Sequence, residues 1–336
     1  MIRQVLSEAE NLCACWLRTD QLDLVQGVAQ QVGLEIIAAG GPEGPSIAAA
    51  LEASPVDDLR SMLASTTAGI VLIADANGLM AGEDISGLSA VIEAAERGVQ
   101  ILTFEPIPAA ALQLSSPAWR HAHDAVRERV SFVPLARRSS AFAGASEILE
   151  QFGRIESVGI RALCNPVLGS LGARLFGACE TLITLLGTPD TVDAAHVSDE
   201  PTPDTLSGLT GHMTANVRFS EGRCASLFIS DSSSGWSRSI TLIGPGGLID
   251  ANDHRIRWTR ADGTIVDEAE MSDSHDSESI ETSLIADSIV ASLTPAFRQA
   301  PIDMNATLAM AQAAVLSSRT GHPESPGTIL DMLSRS

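Results

Sequence analysis

Over the first 120 residues, short apolar runs alternate with stretches whose apolar residues recur at helical spacing, the pattern of βαβ units feeding a parallel sheet. Leu12 to Leu17 predicts a strand, Asp20 to Gln31 a helix, and Leu34 to Ala39 a second strand closed by Gly40 and Gly41. Short helices are expected over Ile47 to Ala53 and Val56 to Ala64. The run AGIVLIAD, Ala68 to Asp75, is apolar almost throughout, as a strand covered on both faces should be. Leu88, Val91, Ile92 and Ala95 then fall on one helical face, with Ser86 placed to cap that helix and Gly98 to stop it before the strand VQILTFEP.

Regularity weakens between Leu112 and Gly153, where Pro117 interrupts and WRHAHDAVRERV is amphipathic. This stretch marks the expected seam, with domains over residues 1–120 and 121–336. From Ile155 the chain reads as strands separated by turns. MTANVRFS and CASLFISD flank Glu221-Gly222-Arg223 as a hairpin, and ITLIGPGG, GLIDAND, HRIRWTRADG and TIVDEAE continue as a meander. Helices are expected over Leu171 to Leu186, Ile280 to Leu293 and Asn305 to Ser318. The fold expected is an α/β parallel-sheet domain followed by an α+β domain whose mainly antiparallel, open-faced sheet is backed by helices.

A length of 336 residues agrees with two cores, and a mean hydropathy of +0.16 supplies enough apolar material for both. No uncharged apolar run nears the roughly 20 residues that span a bilayer. The opening MIRQVLSEAENL lacks the basic flank and long apolar stretch of a secretory signal, so a cytoplasmic location is expected. Forty-two acids against 21 basic residues leave a net charge of −21, which opposes nucleic-acid and anionic-membrane partners. Every basic residue is arginine, and tyrosine is absent too, so neither lysine nor tyrosine is available as general acid, general base or Schiff-base former.

The five cysteines are scattered except for Cys13 and Cys15, which share one face of a strand, and all are read as reduced core residues. His121 and His123 point in different directions along a helix and cannot share a metal; no metal site is expected. Asp273, His275 and Asp276 stand in a serine-rich acidic run read as a solvated loop. Gly244-Pro245-Gly246-Gly247 has the look of a phosphate loop, but no helix follows it, so it is read as a turn between strands.

The order of elements and four local strings resemble the Gfo/Idh/MocA family of NAD(P)-dependent oxidoreductases over most of the chain. The strings are AGIVLIAD with VQILTFEPIPA; FVPLARRSS through ILEQFGRIESV; TLITLLG, ending at Gly187; and IADSIVASL through MAQAAVLSSRTG. The resemblance implies a Rossmann-like first domain, and it also implies positions for cofactor and catalysis. The family's glycine-rich turn, where bare backbone meets the pyrophosphate, corresponds to Leu17-Arg18-Thr19-Asp20-Gln21, which has no glycine. Arg18 and Thr19 are its phosphate candidates, although the plainer reading is a helix start capped by Asp20. The acid that would hold the ribose is Glu43, and the Ala-Thr-Pro-Asn string is matched by Ala74-Asp75-Ala76-Asn77, keeping Ala74 and Asn77.

The family's Glu-Lys-Pro signature is matched by Phe104-Glu105-Pro106, so an acid stands where the lysine would be. On the mid-chain helix the aspartate, histidine and second acid of the family fall on Ala173, Gly177 and Glu180, and no histidine occurs between His123 and His196. These departures imply a Gfo/Idh/MocA-like chain with degenerate cofactor and catalytic sites. It would act as a binding or oligomer-forming subunit with no cofactor, alongside an active paralogue. The expected homo-oligomer uses the open C-terminal sheet, through the strands of Phe219, Leu227, Ile229 and Ile240. Two alternatives stand beside it. One is an atypical NAD- or NADP-dependent oxidoreductase acting on a sugar or polyol with Glu105 or Glu180 as base; the other is a small-molecule sensor using the vacated cofactor cleft.

Overall fold

A computed structural model describes residues 11–76, 79, 86–143, 145–270, 280–294 and 300–335. The chain divides into two compact units, one of residues 1–134, 167–169 and 279–301, the other of 135–166, 170–278 and 302–336. The first unit thus runs past residue 120 and takes back a segment from far downstream.

In the first unit, β1 (Leu12–Trp16), β2 (Glu35–Gly40), β3 (Ser54–Val56), β4 (Ile70–Ile73), β5 (Gln100–Thr103) and β6 (Val130–Phe132) form one sheet. Its order is β3-β2-β1-β4-β5-β6, and all neighbours are parallel. This is the doubly wound Rossmann order, in which ligands bind beyond the strand carboxyl ends where the order reverses, here between β1 and β4. Every residue of β4 is buried, which is why AGIVLIAD has no polar alternation.

The helix Leu22–Val32 turns Leu24, Val25, Val28 and Ala29 inward and ends at Gly33, whose φ of 83° suits the left-handed cap. Against it packs the helix Ile280–Leu293, close enough that a Cβ on Gly27 would stand 3.1 Å from Thr282 Cγ2. That packing draws residues 279–301 into the first unit. β3 occupies the start of what reads as a helix from Val56; its Pro55 is tolerated because the strand lies at the sheet edge. β6 lies in the irregular stretch, and three residues are too few to show a period.

The second unit holds β7 (Ser157–Leu163), β8 (Thr191–Val197), β9 (His212–Arg218), β10 (Cys224–Ser230), β11 (Ser237–Gly244), β12 (Gly247–Ala251), β13 (Arg255–Thr259) and β14 (Ile265–Glu270). Their order is β14-β13-β12-β11-β7-β10-β9-β8, parallel between β7 and β10 and antiparallel elsewhere. The helices Leu171–Leu186 and Met304–Thr320 pack on one face. β9 alternates strictly, with Met213, Ala215 and Val217 buried between exposed neighbours, the period-two signature of a sheet covered on one side.

That alternation settles which side of each strand the named residues take. Phe219, Leu227, Ile229 and Ile240 are buried at 4%, 3%, 0% and 1% exposure, so they belong to the core and not to the open face. The outward positions are their neighbours, among them Ser226, Phe228 and Thr241. The β11–β12 turn is the tight hairpin expected of Gly244 to Gly247, with Gly246 packed so closely that a Cβ would lie 2.5 Å from Phe152 O. None of the five cysteines is in a disulfide; four are buried, whereas Cys224 is exposed on β10, outside the core expected of it. Asp273, His275 and Asp276 fall outside the described residues. Among the described residues no helix is long and apolar enough to cross a membrane.

Candidate functional site

The carboxyl edge of the first sheet is closed by backbone packing between two turns. Leu17 N donates to Gly40 O at 3.0 Å, and a Cβ on Gly41 would fall 1.8 Å from Leu17 O. Gly41, the residue after β2, is therefore needed for close approach of the two turns. After β1 the chain makes a single tight turn, Thr19–Gln21, before the helix begins at Leu22.

Gln21 is fully buried and joins three backbone groups. Its Oε1 accepts from Arg18 N at 2.9 Å, while Nε2 donates to Ala74 O at 3.0 Å and to Val167 O at 2.9 Å. The first contact is the reach-back half of a capping box, and all three satisfy polar groups that burial would otherwise leave costly. Sequence reasoning passed over Gln21, although a glutamine three residues after a turn start is the signal for this contact. Asp20 does not cap the helix; its Oδ1 lies 3.0 Å from Arg18 Nε in an ion pair. Thr19 Oγ1 donates to Glu43 Oε2 at 2.8 Å.

Arg18, Thr19, Glu43 and Ala74 are thus gathered at one mouth, while Asn77 lies outside the described residues. A pyrophosphate needs bare amides and positive character there. This turn instead carries side chains at each position from 17 to 21, couples its one cation to Asp20, and places two exposed carboxylates, Asp20 and Glu43, beside the path. These residues do not fit a dinucleotide bound in that manner.

Glu105 stands two residues beyond Thr103, which is in register with Ile73, just as Asp75 stands two beyond Ile73. Both acids are buried, at 6% and 4% exposure. The turn is pinned locally: Glu105 N donates to Thr103 Oγ1 at 3.1 Å, and that hydroxyl donates to Glu105 O at 2.8 Å. Glu105, which the resemblance sets against the family's lysine, is thus a buried acid.

In the second unit the mid-chain helix Leu171–Leu186 starts at Ser170, whose side chain accepts from Ala173 N, and Asp231 Oδ2 accepts from Leu171 N at 3.2 Å. Glu180 sits on its buried face at 2% exposure. Arg137 Nε is 2.9 Å from Glu180 Oε1, an ionic contact without hydrogen-bond alignment, and Thr184 Oγ1 donates to the same oxygen at 3.2 Å. Oε2 is buried with no hydrogen-bond partner. Burial pushes the Glu180 carboxyl up, against the pull of Arg137, Thr184, Arg138 and Arg238. Burial, followed by repulsion from Arg137, brings Arg138 down to about 10, so it stays charged at neutral pH.

Beside this group, Asp253 Oδ1 accepts from Arg238, and its Oδ2 accepts from Trp236 Nε1 at 2.7 Å. The Trp236 ring has the Arg174 guanidinium 4.6 Å from its centroid and that of Arg238 at 5.2 Å. The arginines were illegible as a group because they come from three separate elements. Glu180 is therefore tied to an arginine-rich interior, while Ala173 and Gly177 offer no functional side chain at the neighbouring positions.

No protein-family model and no curated protein matches the sequence. Solved structures, however, match along nearly the whole chain. Levoglucosan dehydrogenase in complex with NADH and levoglucosan matches with a TM-score of 0.66 at 16% identity, covering 94% of this chain and 99% of its own. A myo-inositol dehydrogenase from Corynebacterium glutamicum gives 0.60 at 16%, over 94% and 98%. An oxidoreductase from Agrobacterium radiobacter in complex with NAD+, L-tartaric acid and magnesium gives 0.65 at 15%, over 95% and 99%. The likeness at these identities is one of fold: the chain has the two-part architecture of Gfo/Idh/MocA-type sugar and inositol dehydrogenases, a parallel Rossmann-like sheet followed by a mostly antiparallel one.

Proposed function

We propose that this chain is a divergent relative of the sugar and polyol dehydrogenases that binds a small hydroxylated metabolite and has given up hydride transfer. The observation that carries this reading is the state of Glu180. It is the single acid–base side chain kept at the three helix positions, and it is buried against Arg137 with one oxygen held by Thr184. Support comes from the absence of lysine and tyrosine, the lack of any histidine from residue 124 to 195, and a β1 turn whose side chains and carboxylates oppose a pyrophosphate.

A second reading, an NAD(P)-dependent oxidoreductase acting on a sugar or polyol, is favoured by a different observation. The chain matches dehydrogenases carrying NAD or NADH over at least 94% of its length. In that reading Glu180 is the base, and burial raises its pKa and so makes it a stronger proton acceptor than an exposed glutamate. The comparisons weigh toward the second reading and the side chains toward the first.

One experiment separates them. Calorimetric titration with NAD(H) and NADP(H), paired with a nicotinamide absorbance assay over a panel of sugars and polyols, is expected to show no dinucleotide binding and no turnover, while a polyol or sugar raises the melting temperature. Micromolar dinucleotide binding with hydride transfer, abolished in Glu180→Gln, overturns the first reading in favour of the second.

A further inference from the structure

We propose that the metabolite bound beside Glu180 is a hydroxylated anion, a sugar acid or a sugar phosphate, whose charged group is held by Arg137 and Arg138 and whose hydroxyl donates to Glu180 Oε2. The assignment rests on the binding reading above and names the class of its ligand. Arg137, Arg138, Arg174, Glu180, Arg238 and Asp253 all belong to the second unit. They come from the short turn Ala136–Arg138, the helix Leu171–Leu186, β11 and the connection between β12 and β13.

The charge of this group runs against that of the chain. Over the whole sequence 42 acids face 21 arginines, two to one, whereas among the described residues of the group four arginines face the acids Glu180 and Asp253, the reverse ratio. The positive charge is also crowded. Arg137 and Arg138 are consecutive in one turn, and their repulsion is one of the causes that lower Arg138. Arg174 and Arg238 share the Trp236 ring, at 4.6 and 5.2 Å from its centroid. Like charges held side by side where water is scarce favour a negative partner. The charges that act on the Glu180 carboxyl are Arg137, Arg138 and Arg238, arginines without exception. Each guanidinium carries five N–H donors in a fixed fork, so a partner within the protein does not exhaust it, and the fork matches carboxylate and phosphate oxygens.

A second observation is independent of the arginines. Glu180 is 2% exposed, its Oε1 meets Arg137 and Thr184, and its Oε2 is buried with no hydrogen-bond partner. A carboxylate oxygen left in that state is costly and calls for a donor, which a ligand hydroxyl supplies. Arg137, Arg138 and Trp236 are half-buried, so the group reaches the protein surface through them. A neutral polyol answers Oε2 but not the guanidiniums, and a bare anion answers the guanidiniums but not Oε2; a hydroxylated anion answers both.

Calorimetric titration of the full chain with D-gluconate and D-glucose 6-phosphate, using D-glucitol, acetate and inorganic phosphate as controls, tests the assignment. At least one of the two hydroxylated anions is expected to bind roughly 10-fold or more tightly than every control, because D-glucitol lacks the charge-assisted bond and the small anions lack the hydroxyls. Which of the two binds tells carboxylate from phosphate. Arg138→Gln should bring that anion down to the affinity of D-glucitol, and Arg138→Lys should restore part of the difference, a pattern that misfolding would not give; unliganded melting temperatures check the fold of both variants. D-Glucitol binding as tightly as the better anion overturns the assignment and leaves the polyol-binding reading standing. Acetate or inorganic phosphate binding as tightly shows an adventitious ion only and overturns it, as does failure of both hydroxylated anions to bind, or wild-type affinity in Arg138→Gln. Hydride transfer between the bound anion and NAD(H) overturns the function proposed above and supports this assignment, which concerns the charge of the ligand and not its reaction.

Discussion

Replacing Gln21 by alanine removes a side chain that joins the β1 turn to the residue after β4 and to the 167–169 segment. Three hydrogen bonds of 2.9, 3.0 and 2.9 Å are lost at a fully buried position. A buried polar group left unsatisfied costs about 1–3 kcal/mol, and two of these three groups are only partly buried, so about 3 kcal/mol is expected in sum. For a unit of this size that corresponds to a fall in melting temperature of about 6–12 °C. Urea unfolding followed by circular dichroism should show the midpoint fall with the m-value unchanged. Gln21→Glu is the sharper control, because a carboxylate still accepts from Arg18 N but faces the Ala74 and Val167 carbonyls with a negative charge. It should be at least as damaging at neutral pH and partly relieved in acid, where the carboxyl can donate. An alanine variant within about 0.5 kcal/mol of the wild type would show that these contacts contribute nothing net, and the clasp argument would fail.

Glu180 has a folded-state pKa above its unfolded one, so the folded state holds the proton longer. Its contribution to stability is complete below the ordinary carboxylate range and is lost as pH rises through the folded value; Glu180→Gln should flatten that part of the urea-midpoint profile, and an unchanged profile would contradict the burial argument. Asp253→Ala removes the buried carboxylate that accepts from both Arg238 and Trp236, and a loss of about 3–5 kcal/mol with a red-shifted tryptophan emission is expected in thermal unfolding and fluorescence. Gly41→Ala drives a Cβ to 1.8 Å from Leu17 O, so the two turns must part; soluble yield and melting temperature should drop by more than for any alanine placed at an open glycine such as Gly33, where the added Cβ meets nothing within 4 Å but the left-handed φ still adds strain.

Much of this fold was legible where burial imposes a period. AGIVLIAD announced a strand covered on both faces, and Leu88, Val91, Ile92 and Ala95 announced a helix face, because in each case one environment acts on every apolar residue. β3 and β6 were not legible, since three residues cannot display a period and their pairing is decided by strands far away in the chain. On β10 the apolar Leu227 and Ile229 mark the strand from inside, and its outward positions are Ser226 and Phe228, which the apolar pattern by itself does not single out.

The sequence by itself determined the chemistry in reach: arginine as the only strong cation, no lysine or tyrosine to carry protons, and no glycine in the turn after β1. It also determined the types of the longer elements, because local periodicity follows from local geometry once an element is long enough to show a period. Only the tertiary structure decided what those residues do to one another. Arg137 meets Glu180 across 43 positions and Gln21 reaches Val167 across 146, and residues 279–301 return to the first unit by packing on the helix Leu22–Val32. Such meetings depend on how separate elements pack, and no local pattern in the chain records that.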